Sequence, residues 1–228
     1  MISFIDYLLE NYGACSSELS KTDDGNELVD DKSKMISLDA MAEVLYSSHS
    51  IFNEKFATAD SLYVVQKDDT FELYFIEYKM IDFNDEEDRL RSVFGLKKCI
   101  SKMSNCEHNC EVLVDIKKYR KELVDKSHLK MRSKPYDSLT VLYYFMNSFF
   151  SSKPSNFSIE QLFNFKKFYI LVSKTQGQYN PILPNKSNRN NKITKPLRFM
   201  QRLKPYHYDE IAVVSDIGFK NLMVFLNR

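Results

Sequence analysis

Apolar residues recur at helical spacing in two segments near the start of the chain. Residues 2–12 place theirs on one face and predict a short amphipathic helix: Ile2, Ile5, Leu8 and Leu9. A second helix is predicted to begin after Ser37, a good N-cap residue, and to end near Ser47, with Leu38, Met41, Ala42 and Leu45 on one face. Residues 16–34 between the two are polar and rich in acids, which predicts a loop or an insertion.

Strand patterns follow further along the chain. Segments 61–65 (SLYVV) and 71–80 (FELYFIEYKM) are rich in aromatic and β-branched residues, and the polar QKDDT between them predicts a hairpin. Residues 167–173 (KFYILVS) are typical of a buried strand. Residues 211–214 predict one more strand, and 222–226 form a late apolar segment.

Helical patterns and one long loop fill the intervening sequence. Helices are predicted over 85–103 and 137–150, with a basic helical piece over 116–134, and 176–195 is typical of a surface loop. This order of elements favours an α/β fold, with α+β as the alternative: a mixed central β-sheet flanked by helices. We expect a single domain over 1–228, divided into an N-terminal helix and acidic loop (1–36), a helix–hairpin–helix motif (37–103) and a remainder (104–228) that holds a helical insertion, later core strands and a basic loop.

Composition narrows the classes of function. The 228 residues are 43% hydrophobic and 28% charged, as in ordinary globular proteins. No GxGxxG, GxxxxGK or GxSxG motif occurs, which argues against dinucleotide-binding, P-loop and α/β-hydrolase functions. The chain has no uninterrupted apolar run long enough to span a membrane, and its first residues do not resemble a signal peptide. With only four cysteines, it is expected in the cytoplasm.

The net charge of +1 hides a strong asymmetry along the chain. Residues 1–90 hold 21 acidic and 7 basic residues, whereas 91–228 hold 10 and 25, and the stretch 161–208 has no acid. Such polarity is typical of a protein that binds a polyanion. The basic residues that we expect to contact nucleic acid are Lys186, Arg189, Lys192, Lys195, Arg198, Arg202 and Lys204. The alternative is that the two halves neutralise each other within the fold.

Three charged residues are predicted to meet at one end of the hairpin. Asp60 precedes the first strand, and Glu77 and Lys79 end the second. Whether Asp60 lies opposite Glu77 or opposite Lys79, all three share one face, because side chains alternate along a strand. The rest of that face is apolar: Leu62, Val64, Phe71, Leu73 and Phe75.

Charges at the margin of an apolar face need partners. Two close carboxylates repel each other, and a hard divalent cation relieves this repulsion. The alternative is an ordinary ion pair between Glu77 and Lys79, with Asp60 capping a turn.

Asp60, followed by strand, turn and a strand that ends in Glu77-Tyr78-Lys79, resembles the signature of the PD-(D/E)xK nuclease superfamily. The preceding helix, with Glu43, resembles the first helix of that restriction-endonuclease-like fold, which often supplies another acid. The resemblance covers about 37–103. The chain departs from the pattern at Ala59, where the signature has proline, and Glu43 lies away from the apolar stripe of its helix.

The resemblance implies a Mg²⁺- or Mn²⁺-dependent endonuclease of restriction or repair type, with a homodimer as one expected form. DNA is favoured as its substrate, and RNA stays open as the alternative. Asp60, Glu77 and the backbone carbonyl of Tyr78 would hold the metal, Lys79 would orient or help deprotonate the attacking water, and Glu43 would hold the water shell of the metal. Two alternatives stay open. The chain is a nuclease-like module that binds nucleic acid without cleaving it, or its basic half docks on an acidic protein.

A second cluster of metal-ligand residue types carries less weight. Cys99, Cys106, His108 and Cys110 suit Zn²⁺ by type. Their spacing, C-x6-C-x-H-x-C, is not one of the common zinc spacings, and Cys99 falls on a predicted helix face where a buried thiol is the ordinary role. Zinc is therefore the weaker expectation.

Overall fold

Six strands form one mixed sheet whose spatial order follows the chain. In the computed structural model these are β1 (Gly13–Cys15), β2 (Lys34–Ser37), β3 (Ser61–Lys67), β4 (Thr70–Lys79), β5 (Lys166–Ser173) and β6 (Glu210–Ser215). Neighbouring strands from β1 to β4 are antiparallel, and β4, β5 and β6 are parallel. The residues described are 2–21, 25–49, 54–68, 70–79, 133–151, 164–173, 200–204 and 206–227.

Five α-helices accompany the sheet within those ranges. They are α1 (Ile2–Tyr12), the short α2 (Ser16–Leu19), α3 (Leu38–Ser48), α4 (133–151) and α5 (Asp216–Leu226). A 3₁₀ turn lies at Met200–Leu203. Two helices begin with a serine cap: Ser37 Oγ accepts from Ala40 N at 3.2 Å, and Ser215 Oγ accepts from Gly218 N at 3.0 Å.

Both faces of the sheet are covered, which explains the nearly continuous apolar run in β5. One face and the helices α1, α3 and α4 enclose the first core. The opposite face and α5 enclose the second core, to which Leu28 and Val29 also contribute. Alternation along β5 sends Tyr169 and Leu171 to the first core and Ile170 to the second.

The structure confirms a mixed sheet with flanking helices and most of the predicted elements. The hairpin strands, β5, β6 and α3 lie where the apolar patterns predict them, each within two residues at either end. The apolar stripe predicted for α3 is buried in the first core.

Two predictions about elements are corrected, and a third segment, predicted only as apolar, is assigned to a helix. The segment 16–34 is more than a loop, because it contains α2 and is held by the burial of Leu28 and Val29 beside Met35. The helix predicted over 137–150 begins four residues earlier, with Pro135 in its first turn, where a missing N–H is tolerated. The late apolar segment 222–226 is the second half of α5. The predicted elements at 85–103, 116–132 and 176–195 lie outside the described residues.

The first turn of α4 is joined to the segment that leads into β3. Asp137 Oδ2 accepts from Ala57 N at 2.9 Å, and Ser138 Oγ accepts from Ala59 N at 2.8 Å. Tyr208 holds the same turn from the other side, because its hydroxyl donates to the Pro135 carbonyl at 2.7 Å. The start of α4 is therefore fixed beside the entry to the hairpin.

No helix in the described parts of the chain is long and apolar enough to cross a membrane.

We predict that Ser138→Ala lowers the free energy of unfolding by about 1–3 kcal/mol, because it leaves the Ala59 N–H buried without its acceptor. Thr140→Ala is the matched control, since the bond that this exposed hydroxyl makes to the described residues is with the Tyr136 carbonyl of its own helix. Urea denaturation of both variants measures the difference. Equal losses in the two variants would show that the contact with Ala59 contributes nothing.

Candidate functional site

The hairpin register places Asp60 directly opposite Glu77. Ser61 pairs with Ile76, and the same antiparallel register continued by one residue aligns Asp60 with Glu77. The pairing extends to Lys67 and Thr70, so the turn between the two strands comprises residues 68 and 69. Asp68 in that turn has a φ of +50°, as tight hairpin turns require.

The face predicted to be apolar is the sheet face of the first core. Leu62, Leu73 and Phe75 are buried in that core, and Val64 and Phe71 pack against it. Asp60, Glu77 and Lys79 therefore lie on one face at one end of the hairpin, as the alternation of side chains predicts.

Glu77 is the most deeply buried of these charges. Its side chain is 0% exposed, and its two oxygens face two different lysines. Lys134 Nζ donates to Oε2 at 2.7 Å. Lys79 Nζ lies 2.7 Å from Oε1 in an ion-pair contact whose direction is not that of a hydrogen bond. Among the residues that the structure describes, Oε1 therefore has no hydrogen-bond donor.

Asp60 completes the group through the same ammonium. Its Oδ1 lies 3.6 Å from Lys134 Nζ, and its Oδ2 accepts from the backbone N–H of Tyr78 at 2.6 Å. One cation therefore lies between two carboxylates that come from adjacent strands. We refer to Asp60, Glu77, Lys79 and Lys134 as the charged cluster.

The backbone of Tyr78 faces Asp60, whereas its side chain lies in the second core. In an extended strand the N–H and C=O of one residue leave on the same edge, as the paired bonds of antiparallel ladders show. The Tyr78 carbonyl therefore leaves β4 on the edge where Asp60 lies.

Burial and charge shift the ionisation of the cluster. Burial, followed by repulsion from Glu77, raises the pKa of Asp60 to about 7, although Lys134, the Tyr78 N–H and Lys79 act in the opposite direction. Burial lowers the pKa of Lys134, but the carboxylates of Glu77 and Asp60 outweigh burial and leave it above its usual value. Lys134 is therefore a stable cation at neutral pH.

A buried hydroxyl lies on the same sheet face. Tyr169 pairs with Phe75 across the sheet, two residues before the partner of Glu77, and it is 0% exposed. Its hydroxyl and Glu77 Oε1 are the only buried side-chain N or O atoms without a hydrogen-bond partner in the described part of the chain. Burial raises the pKa of Tyr169, and the negative charges of Glu77 and Asp60 raise it further.

The donor set fits a magnesium ion. Mg²⁺ is usually bound by one or two carboxylates and keeps several waters, so Asp60, Glu77 and the Tyr78 carbonyl suffice in type and number. The two carboxylates already face one cation, and Oε1 of Glu77 accepts no hydrogen bond from the described residues. Over the described ranges no group of three or more His, Cys, Asp or Glu side chains is placed to hold a metal.

The structure does not bring Glu43 to the charged cluster. Glu43 lies on the exposed side of α3 with its side chain 57% exposed, and it pairs with Lys55 at 2.9 Å. The reason is helical periodicity, because the apolar stripe of α3 faces the core and turns residue 43 away from it. An acid nearer the cluster on this helix is Asp39, whose charge acts on Lys134 and whose Oδ1 accepts from Thr58 Oγ1 at 2.8 Å.

Lys134 is the residue of this site that sequence reasoning missed. The available signal was local: Pro135 indicates a helix start at this point. Nothing in the sequence indicates that this helix start lies beside Glu77 of the hairpin, 57 residues upstream in the chain.

Two of the seven predicted nucleic-acid-binding residues lie in the described ranges. Arg202 is exposed, and Lys204 forms an ion pair with Glu210. Lys186, Arg189, Lys192, Lys195 and Arg198 lie outside those ranges, as do the zinc candidates Cys99, Cys106, His108 and Cys110.

Comparison with protein-family models, with curated proteins and with solved structures finds no significant match to this chain. The geometry of the charged cluster is therefore the basis on which a function is proposed.

We predict that the stability of the metal-free protein falls as the pH rises from about 4 to about 7. In that window the folded protein keeps on Asp60 a proton that the unfolded chain, with an ordinary pKa of 3.8, has lost. Asp60→Asn keeps an acceptor for the Tyr78 N–H but does not titrate. The free energy of unfolding of the variant, relative to that of the wild type, should therefore rise by about 2 kcal/mol from pH 5 to pH 8. Urea denaturation in EDTA measures this gain, and a constant difference would contradict the raised pKa.

We predict that Tyr169→Phe leaves the free energy of unfolding unchanged or raises it by up to about 1 kcal/mol, because the hydroxyl is buried and has no hydrogen-bond partner within the described ranges. Tyr208→Phe is the matched control. It should lose about 1 kcal/mol with the bond to Pro135. Equal losses in the two variants would show that the Tyr169 hydroxyl has a partner in solution.

Proposed function

We propose that the protein is a metal-dependent nuclease that hydrolyses phosphodiester bonds of DNA. The observation that carries this proposal is the convergence of Asp60 and Glu77 on one cation, with Lys79 beside Glu77. This is the arrangement implied by the resemblance to the PD-(D/E)xK superfamily, whose restriction-endonuclease-like core is part of the proposal.

Each residue of the cluster has a distinct role in this proposal. Asp60 and Glu77, with the Tyr78 carbonyl, would hold Mg²⁺ or Mn²⁺, which when bound there would lower the pKa of a water and stabilise negative charge on the phosphate. Lys79 is 30% exposed, more than the other members of the cluster, so its ammonium can orient the attacking water and favour its ionised form.

The surface beside the start of α4 suits a nucleic acid. Tyr206 is 85% exposed, and Tyr136, which is also exposed, contacts the ring of His207 with centroids 5.0 Å apart. Arg202 is exposed on the 3₁₀ turn that precedes Tyr206. Exposed aromatic rings stack on bases, and an arginine binds phosphate, so these groups supply the two contacts that single-stranded nucleic acid uses.

A second candidate function is a nuclease-like module that binds nucleic acid without cleaving it. The observation that favours it is Lys134, whose ammonium lies between the two carboxylates and, together with the Lys79 ammonium, balances their charge. A cluster whose charges are balanced in this way is stable without a metal. In addition, Glu43 pairs with Lys55 away from the cluster, so one of the acids that the resemblance implies for catalysis is not in place.

The test is cleavage of supercoiled plasmid and of single- and double-stranded DNA and RNA oligonucleotides, with Mg²⁺, Mn²⁺ or EDTA. We predict metal-dependent cleavage of DNA by the wild type. Asp60→Asn and Glu77→Gln should lower the rate by at least about 100-fold, because each removes a carboxylate that would hold the metal, and the metal stabilises the negative charge of the transition state. Loss of activity in Asp60→Asn cannot be ascribed to unfolding if urea denaturation shows that this variant is folded at the pH of the cleavage assay.

Glu72→Gln is the matched control for Glu77→Gln. Glu72 is a buried glutamate of the same strand and pairs with Lys67 at 3.0 Å, but it lies at the other end of the hairpin and on the other sheet face. Its substitution should leave cleavage intact. Cleavage that survives in Asp60→Asn would refute the proposed site, whereas salt-dependent binding of DNA without any cleavage would favour the second candidate.

A further inference from the structure

The position between Asp60 and Glu77 is already filled by a cation that belongs to the protein. Lys134 Nζ lies 2.7 Å from Glu77 Oε2 and 3.6 Å from Asp60 Oδ1. Its side chain is 14% exposed, so it is largely shielded from water. A metal ion bound by both carboxylates requires the same space and the same two negative charges.

We propose that Lys134 and the divalent cation are alternative occupants of this position, so that metal binds only when the Lys134 ammonium leaves the two carboxylates. The inference rests on the proposed function, because it assumes that Asp60 and Glu77 bind a metal. It makes Lys134 the residue that sets the affinity and the timing of metal binding.

The charges of the cluster support mutual exclusion. With both carboxylates ionised, Asp60, Glu77, Lys79 and Lys134 carry two negative and two positive charges. A divalent cation added to this set would leave two excess positive charges in a largely buried site, where charge is poorly screened. The metal would be repelled by both ammonium groups, and the departure of one of them would remove the repulsion from that group. Lys134 is the ammonium that contacts both carboxylates, so its repulsion of a metal bound between them would be the stronger.

The attachment of α4 permits this exchange without unfolding. The backbone around Lys134 is held by the contacts of Asp137 and Ser138 with segment 57–59 and by the bond from Tyr208 to Pro135. These contacts do not involve the Lys134 ammonium. The flexible side chain can therefore turn away by rotation about its own bonds while α4 stays in place.

A freed Lys134 would lie next to the proposed nucleic-acid surface. Its neighbour Pro135 is followed by the exposed Tyr136, which contacts His207. A phosphate group of the substrate there would offer the ammonium a new counter-ion. Metal and substrate would then favour the same state of Lys134, which makes their binding cooperative.

The first test measures Mn²⁺ binding by calorimetry in the wild type, Lys134→Met and Lys79→Met at pH 8. Both variants remove one positive charge beside Glu77 and keep a side chain of similar length. We expect Lys134→Met to lower the Kd for Mn²⁺ about tenfold or more, and clearly more than Lys79→Met, because only Lys134 occupies the metal position. Equal effects in the two variants would overturn the proposal, since they would reflect general repulsion.

The second test uses the wild type and does not depend on the folding of a variant. Acylation of lysine amines, read residue by residue by mass spectrometry, should increase at Lys134 on addition of saturating Mg²⁺, with the exposed Lys55 as the internal reference. Unchanged labelling of Lys134 at saturating metal would overturn the exchange. If calorimetry detects no metal binding in any form of the protein, the proposed function fails together with this inference. If metal binds without these effects, only the inference fails.

Discussion

The complete burial of the Glu77 carboxylate is the constraint on which the rest of the site depends. A buried carboxylate without partners is too unfavourable to persist, so counter-charges must reach it. Lys79 comes from the same strand, but Lys134 comes from a helix far away in sequence. The start of α4 must therefore lie beside the hairpin, and the bonds from Asp137 and Ser138 to segment 57–59 hold it there.

The location of the cluster agrees with the architecture of the sheet. Lys79 is in register with Ser173, and Ser173 with Ser215, so the cluster lies at the edge where β4, β5 and β6 all end. In open sheets with parallel strands, ligands bind outside the carboxyl ends of the strands. Both sheet faces are packed against apolar residues, and this edge is where charged groups from several elements can meet.

Lys134 connects the two functional candidates. An ammonium between two carboxylates balances their charge without a metal, which suits a binding module. In the proposed exchange a metal would replace this ammonium, which suits a nuclease. The same geometry is therefore compatible with a binding module and with a nuclease. The two functions differ in whether a divalent cation displaces the Lys134 ammonium. The resemblance to the PD-(D/E)xK pattern extends to Asp60, Glu77 and Lys79, whereas Glu43 pairs with Lys55 on the exposed side of its helix.

The sequence by itself determined what depends on local spacing. Side chains alternate between the two faces of the hairpin, so the spacing of residues alone placed Asp60, Glu77 and Lys79 on one face. The apolar stripe of α3 and the serine before it determined the position of that helix. Only the tertiary structure decided that Lys134 joins them and that Glu43 lies outside the charged cluster. It also decided that the Tyr169 hydroxyl is buried beside them with no hydrogen-bond partner among the described residues. The physical reason is that such contacts join elements distant in sequence. The packing of these elements is determined by the burial of whole helix and sheet faces and by the need of each buried charge for a partner. Neither of these causes produces a periodic pattern along the sequence.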